Sequence, residues 1–368
     1  MNYSEKLQQI PADILRASDY AQLASSFIPE DILAYIDGGA GDEWSLRRNR
    51  SAFEEIQLLP KVLADFSAAS TQSQLLGQTL SHPFILGPVA HQKLVHCEGE
   101  LATAQAAEAM HTGMITSTLS SVPLADIAAF DPPLKWFQLY WQTRRDDNIA
   151  LIRRAEQAGY GAIVVTVDAP INALRYREQR AGFIQPAELP AVNLQDFSPN
   201  SAVNITEHES LILNGIMPNA PSWNDIAWLC KQTSLPVLIK GILNPEDAKR
   251  AKRQGLSGVI VSNHGGRSLD GVPATIDVLA SIRHAVGNEF PLLLDSGIRS
   301  GSDIFKALAL GADAVLIGRL QMHALAVAGA LGVAHMLRLL REELEVTMAL
   351  AGCPTLNDID PSAIISRD

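Results

Sequence analysis

The sequence predicts an α/β protein, a parallel (β/α)8 barrel with an N-terminal helical extension. From about residue 84, short apolar runs alternate with longer segments of helical periodicity, which is typical of βαβ units. Eight such runs occur before the C-terminus, and eight units close into a barrel. The predicted strands are residues 83–90, 113–118, 135–140, 161–169, 235–241, 257–263, 291–297 and 312–319.

The 368 residues are predicted to form a single domain. Residues 1–60 have the pattern of helices that pack on the barrel, with the sequence GGAGDE at 38–43 as a turn between them. We assign 83–340 to the barrel. The interval 180–235 is longer than one helix requires, so we expect an excursion loop over the active face.

Composition excludes several function classes. The 29 basic and 40 acidic residues give a formal charge of -11, opposite to that of a nucleic-acid-binding protein. The N-terminus lacks the pattern of a signal peptide, and we expect no apolar stretch of bilayer length and no stable membrane insertion. The three cysteines are widely spaced and form no CxxC pair, so we expect no metal site, and a cytoplasmic location fits best.

Polar residues gather where the predicted strands end. One such residue usually anchors a loop, but six consecutive strands end this way, which favours an active site at the carboxyl ends. The residues are Gln138, Tyr140, Thr166, Asp168, Lys240, Ser262, Asn263, His264, Asp295, Gly318 and Arg319.

The segments DSGIRSG (295–301) and LIGR (316–319) follow the last two strands. Their glycines could merely serve tight turns. Glycines that let backbone N–H groups approach a ligand, with an arginine in each segment, are also typical of a phosphate site. The location after these strands favours a phosphate-bearing cofactor.

The segment SNHGGRSLD (262–270) carries both a base and an anion-binding group. His264 can take a proton near neutral pH, and Arg267 can hold a carboxylate through two parallel hydrogen bonds. Asp168, on a neighbouring part of the rim, could orient the imidazole and stabilise its protonated form. Lone histidines are usually structural, but the position at a strand end favours catalysis here.

These motifs, together with QLY (138–140), TVDAP (166–170) and LPVLIKG (235–241), resemble the FMN-dependent 2-hydroxy-acid oxidases and dehydrogenases. The glycolate and lactate oxidases belong to that family. The resemblance runs in order from YIDGGAGDEW (35–44) to about residue 340. It implies FMN as cofactor, an L-2-hydroxy acid as substrate, and a homotetramer.

The resemblance also implies a role for each matching residue. Val89 and Ala90 would bind the flavin ring through their backbones, Ser117, Gln138 and Thr166 its polar edge, and Lys240 its N1 and O2 side. Ser262, Asp295, Gly297, Arg299, Gly318 and Arg319 complete the cofactor-binding residues. Tyr35, Tyr140, Arg175 and Arg267 would bind the substrate.

The implied reaction yields a 2-oxo acid. His264 would remove the hydroxyl proton, assisted by Asp168, Tyr140 and Lys240, while hydride passes to flavin N5; a carbanion route stays open. Oxygen is the expected electron acceptor, and a quinone is the alternative. An L-2-amino acid as substrate, another FMN barrel enzyme such as an isomerase, and a non-catalytic flavin-binding barrel are the competing interpretations.

Some positions depart from the commonest family pattern. Val89 stands where threonine is frequent, His91 where methionine is, and Gly266 where alanine is. Leu119 stands where glycolate oxidases have a bulky aromatic residue. This departure predicts a differently shaped substrate pocket and argues against glycolate as the substrate. Because residues 175–183 are rich in arginine, Arg177 or Arg180 could take the role given to Arg175.

Overall fold

The eight barrel strands, numbered β1 to β8, are apolar segments buried on both faces. Such strands read as continuous apolar runs because helices cover one face of the sheet and the barrel interior lies against the other. The computed structural model describes residues 5–198 and 205–365. Within them the strands are β1 Phe84–Leu86, β2 Gly113–Ser117, β3 Lys135–Tyr140, β4 Ile163–Thr166, β5 Val237–Ile242, β6 Gly258–Val261, β7 Leu292–Leu294 and β8 Ala314–Ile317.

Each strand pairs in parallel with the next along the chain, and β8 pairs with β1, so the sheet closes. The predicted barrel is thereby confirmed. The helices around it are α1 Asp19–Ala24, α2 Glu30–Asp37, α3 Trp44–Glu55, α4 Glu100–Ala109, α5 Leu124–Ile127, α6 Arg145–Gln157, α7 Tyr176–Arg180, α8 Trp223–Leu229, α9 Pro245–Arg253, α10 Thr275–Val286, α11 Gly301–Ala309 and α12 Arg319–Ala351.

Side chains of successive strand residues alternate between the barrel interior and the surrounding helices. The interior cluster contains Ile85, Ile115, Trp136, Val164, Leu238, Ile260, Leu293 and Leu316. In seven of the strands the next residue packs instead in the larger cluster that includes the helices, and in β2 it is the buried Thr116. Leu75 and Leu80 of a hairpin (Ser73–Leu75 with Gln78–Leu80) join the interior cluster and close its amino-terminal end.

The N-terminal helices pack as expected, with the turn at 38–43 between α2 and α3. Within 180–235 the described residues form α8 and short turns at Val192–Leu194, Leu211–Ile216 and Met217–Asn219. Residues 1–4 of the extension and 199–204 of the excursion lie outside the described residues.

Helix α12 extends to Ala351 because Leu344, Met348 and Ala351 continue its buried face beyond residue 340. The expectation that no apolar stretch reaches bilayer length is wrong, because α12 is long and apolar enough by length and composition. Of its most apolar window, 67% is buried inside the protein, as in a core helix. Ala328 and Gly329 have non-helical backbone angles that divide it.

Candidate active site

The polar residues of the site continue the interior pattern of the barrel. Two positions beyond each interior residue lies a residue of the carboxyl-terminal layer, because strand side chains repeat every two residues. In strand order this layer is Gly87, Ser117, Gln138, Thr166, Lys240, Ser262, Asp295 and Gly318. The apolar core thus gives way to hydrogen-bonding groups at one end of the barrel.

A cavity of about 440 Å³ opens at this end, within the usual range for small-molecule sites. It brings together residues from the N-terminal extension, from the loops after the strands and from the excursion. The predicted site residues that line it are Tyr35, Val89, Ala90, Thr166, Arg175, Lys240, His264, Arg267, Asp295, Gly297, Arg299, Gly318 and Arg319.

Five predicted site residues are not among the lining residues: Ser117, Gln138, Tyr140, Asp168 and Ser262. The Ser117 hydroxyl donates to Gln138 Oε1 at 3.0 Å, and Gln138 Nε2 donates to Thr166 Oγ1 at 2.9 Å. Of these three side chains, only Thr166 lines the cavity. Ser117 and Gln138 are linked to Thr166 by these hydrogen bonds and lie outside the cavity lining. Their predicted contact with a flavin edge stays a prediction.

His264 lies between a carboxylate and a phenol. Its Nδ1 is 2.9 Å from Oδ1 of Asp168, and its Nε2 is 3.2 Å from the hydroxyl of Tyr140. Because an ionised carboxylate only accepts hydrogen bonds, Nδ1 carries the proton and Nε2 presents its lone pair. Burial alone would raise the pKa of Asp168, but His264 and Lys240 hold it below its ordinary value.

The backbone at His264 is left-handed, with φ of 58°, a conformation that non-glycine residues rarely adopt. Its N–H donates to the Ser262 hydroxyl at 3.0 Å, and the next N–H, of Gly265, donates to the Ser296 hydroxyl at 2.9 Å. These two hydroxyls hold the strained turn that directs the imidazole into the cavity.

Lys240 is buried and forms an ion pair with Asp295 at 3.0 Å. Its ammonium also donates to the Ser262 hydroxyl at 2.8 Å. Burial would lower the pKa of Lys240, but the carboxylates of Asp295 and Asp168 raise it above the ordinary value. Lys240 is therefore a permanent cation in the cavity wall at neutral pH.

Two further cations line the cavity without a carboxylate partner. Burial lowers the pKa of Arg299 to about 10, and burial with the neighbouring Arg267 lowers that of Arg319 to about 9. Within 5–198 and 205–365, neither guanidinium forms an ion pair within 4.0 Å. Arg319 donates instead to the carbonyls of Ile36, Gly38 and Gly265. A bound dianion would offset the free energy cost of burying these two charges.

The backbone N–H groups of residues 299–301 are already bonded. Those of Arg299 and Ser300 donate to Asp303, and that of Gly301 donates to Glu343. The start of α12 differs, because Gly318 at its N-cap is exposed and a Cβ there would meet nothing within 4 Å. A phosphate therefore fits best at the N-terminus of α12, between the two arginines.

The glycines of the first phosphate segment have a packing role. Gly297 has φ of 102°, and a Cβ there would lie 2.3 Å from the carbonyl oxygen of Asn49. A Cβ at Gly301 would lie 2.1 Å from the backbone nitrogen of Leu344. These glycines let the loop approach α3 and α12 closely, so the arginine rather than the glycines marks this segment as a ligand site.

Another part of the cavity wall contains Tyr35, Arg175 and Arg267, and Arg267 adjoins Arg319 because both donate to the carbonyl of Gly38. The guanidinium of Arg267 lies 5.1 Å from the ring centre of Tyr35, whose ring stacks on Phe183 at 4.4 Å. Arg175 forms an ion pair with Glu178 at 2.7 Å. The alternatives Arg177 and Arg180 line a second cavity on the other side of α7, which favours Arg175 as the substrate ligand.

Sequence reasoning missed several lining residues, among them Asn172, Glu178, Phe183, Gln185 and Ser296. His91 also lines the cavity; its backbone is left-handed, and its Nδ1 is buried without a hydrogen-bond partner. Burial lowers the pKa of His91, so its imidazole is neutral near pH 7. It places a hydrogen-bonding group where the resembling family commonly has a methionine.

The fold and the site define a class: a (β/α)8-barrel enzyme that holds a phosphate-bearing cofactor between an acid–base histidine and an anion-binding pocket. Residues 24–366 match the model of the FMN-dependent dehydrogenase family. The chain belongs to this family, and FMN is its cofactor. The two unpaired guanidiniums beside the N-terminus of α12 fit the phosphate of that cofactor.

Individual relatives cover nearly the whole chain. The L-lactate oxidase of Alicycliphilus denitrificans is 51% identical over 351 residues, 95% of this chain and 96% of that protein. Glycolate oxidase 3 of Arabidopsis thaliana is 40% identical over 354 residues, 96% of each chain. Among solved structures, mandelate oxidase with (S)-2-phenylpropionate is 40% identical, covers 96% of this chain and 98% of its own, and superposes with a TM-score of 0.86.

Proposed function

We propose that this protein oxidises L-lactate to pyruvate and passes the electrons to oxygen. The observation that carries the proposal is the position of His264, with Asp168 on Nδ1 and the Tyr140 hydroxyl beside Nε2, at the wall of a cavity that also contains Arg175 and Arg267. The names of the relatives support the substrate, because an L-lactate oxidase is 51% identical to this chain.

Substrate binding would rest on Arg175, Arg267 and Tyr35. The two guanidiniums hold the carboxylate, with Arg267 fixed by its hydrogen bonds to backbone carbonyls of α2 and the turn after it. Nη1 of Arg267 makes these bonds, which leaves its Nη2 and Nε for the ligand. Leu119 in the cavity wall leaves room for a short alkyl side chain.

His264 would act as the base. Its Nε2 takes the hydroxyl proton of the substrate, and the carboxylate of Asp168 stabilises the imidazolium that forms. The hydroxyl of Tyr140, 3.2 Å from Nε2, positions the substrate hydroxyl beside the base. Bound FMN supplies the acceptor for the hydride that leaves C2, so a 2-oxo acid results. Lys240 contributes a fixed positive charge at the cofactor.

Oxygen uptake with L-lactate tests this proposal. The holoenzyme should consume oxygen and form equal amounts of pyruvate and hydrogen peroxide, and glycolate, L-mandelate and L-alanine should react more slowly. Faster turnover of L-alanine would identify an amino-acid oxidase instead. Turnover of L-lactate only with an added quinone would make oxygen the wrong acceptor.

We also propose a cytoplasmic homotetramer. The three cysteines are free, which fits a reducing compartment, and the family resemblance supports the assembly. Apolar side chains at Leu211, Ile212 and Leu213 are exposed on one chain and are suited to a contact between copies. Light scattering on the purified protein and fractionation of the source cells test the two statements; a monomer or a secreted protein would contradict them.

A further inference from the structure

The substrate end of the cavity contains an acidic residue that the proposed reaction does not use. Glu178 lines the cavity and places its Oε2 2.7 Å from Nη1 of Arg175. Both side chains are largely buried, with exposed fractions of 22% and 15%. Arg175 is the N-cap of α7 and Glu178 lies three positions further on, in the first turn of the helix, so the two side chains are neighbours.

This carboxylate also influences the second arginine of the pocket. Burial lowers the pKa of Arg267, and the nearby Glu178 opposes that effect. Two guanidiniums and one carboxylate leave a single positive charge at this end. The Lys240–Asp295 pair is neutral in sum, and Arg299 with Arg319 supplies two positive charges where the cofactor phosphate fits. Together these lining residues carry five positive and two negative charges, and the net charge of three matches one substrate carboxylate and one phosphate dianion.

We propose that Glu178 is a specificity-determining residue that restricts the enzyme to 2-hydroxy acids with one carboxylate. It neutralises the excess charge of the arginine pair, and it repels a second carboxylate on the substrate side chain. Once one substrate carboxylate is bound, the charges of Arg175, Arg267 and Glu178 are balanced, so a second carboxylate meets no free positive charge among these three side chains. Salt screens these partly buried charges only weakly. The inference rests on the proposed function, since it assumes that a 2-hydroxy acid occupies this end.

The same contact makes Glu178 a positioning residue for Arg175. The ion pair uses Nη1, and Nη2 of Arg175 lies 3.3 Å from Oδ1 of Asn172. Nε of Arg175 is buried and has no hydrogen-bond partner among the residues that the structure describes. A buried donor without a partner is costly, so a ligand carboxylate that accepts from Nε would stabilise the arginine in this orientation.

A Glu178→Gln variant tests the proposal because it keeps the shape and removes the charge. The ratio of kcat/KM for L-malate to that for L-lactate should rise about tenfold, since removing one like charge favours the dicarboxylate. The affinity of oxidised holoenzyme for succinate relative to propanoate, read from the flavin absorbance, should rise similarly. Glu178→Asp should retain most of the discrimination.

Glu188→Gln is the matched control, because Glu188 is exposed, lies outside the cavity and differs from Glu178 only in place. It should leave both ratios unchanged. If Glu178→Gln gives no folded holoenzyme, Glu178→Met supplies a second uncharged side chain of similar length. Unchanged ratios in a folded Glu178 variant that still oxidises L-lactate would overturn the inference. If L-lactate does not reduce the parent enzyme, the proposed function fails, while the succinate and propanoate affinities still test Glu178.

Discussion

Nδ1 of His264 lies 2.9 Å from Oδ1 of Asp168, and the other carboxylate oxygen of Asp168 is buried without a hydrogen-bond partner. Gly241 lets the backbone of β5 approach Asp168 closely, since a Cβ there would lie 2.5 Å from the side chain of Asp168. The carboxylate of Asp168 therefore holds the imidazole of His264 in place and balances the positive charge of its protonated form.

Asp168→Asn should reduce lactate-dependent flavin reduction on the order of 10²- to 10⁴-fold, because the amide cannot stabilise the imidazolium. FMN content should stay the same, since Asp168 does not line the cavity. Anaerobic stopped-flow absorbance measures the rate. His264→Ala, which removes the base, should lose at least as much while keeping the flavin. A variant of either kind that reduces as fast as the parent enzyme would refute the assignment of the base.

The stability of the protein should depend on Asp168 in a defined pH range. Its pKa in the folded state is lower than the ordinary 3.8, so the ionised carboxylate stabilises the fold above that value. This contribution is lost as the pH falls through the folded-state pKa. Denaturant unfolding of the parent protein and Asp168→Asn should give a difference in free energy that shrinks as the pH falls below the ordinary pKa of the carboxyl group. A difference that grows on acidification would contradict this.

Arg319→Met should weaken FMN binding about 10- to 100-fold, the usual loss for one charge-assisted hydrogen-bonding partner. Riboflavin lacks the phosphate, so the same substitution should weaken riboflavin binding at least tenfold less than it weakens FMN binding. Quenching of flavin fluorescence on titration into apoprotein measures both. Arg153→Met, at an exposed ion pair far from the cavity, is the control and should change neither. Equal losses for FMN and riboflavin would place the phosphate elsewhere.

Gly266→Ala tests a departure from the resembling family, in which alanine is common. Gly266 has φ of 75°, and a Cβ would lie 2.6 Å from the backbone nitrogen of Leu46. Gly271 has φ of 83°, but a Cβ there would meet nothing within 4 Å. Both alanine variants share the backbone strain, and only Gly266→Ala adds a clash of about 1–3 kcal/mol in unfolding free energy. Equal destabilisation of the two variants would show that the loop moves to accept alanine.

The sequence was sufficient to predict all eight barrel strands, because burial on both faces makes each strand an apolar run with little polar interruption. It was also sufficient to place Lys240, His264 and Asp295 at one cavity, since the carboxyl ends of parallel strands meet at one face. Counting two residues beyond each interior position would have identified the whole polar layer from the sequence.

Contacts between distant segments could not be predicted. Glu343, which accepts a hydrogen bond from the N–H of Gly301, lies 42 residues further along the chain. The choice among Arg175, Arg177 and Arg180 depends on the direction of α7, a helix of only five residues. Glu178 was overlooked because an acid among arginines resembles a solvated surface pair. Its spacing of three residues from Arg175 was the available signal.

An anaerobic visible spectrum of the purified holoenzyme, before and after L-lactate is added, tests whether bound FMN is reduced by an L-2-hydroxy acid beside His264. We expect an oxidised flavin band near roughly 450 nm, a general property of the cofactor, and we expect L-lactate to bleach it with formation of pyruvate. A flavin band that L-lactate, glycolate and L-mandelate all leave unchanged would contradict the account.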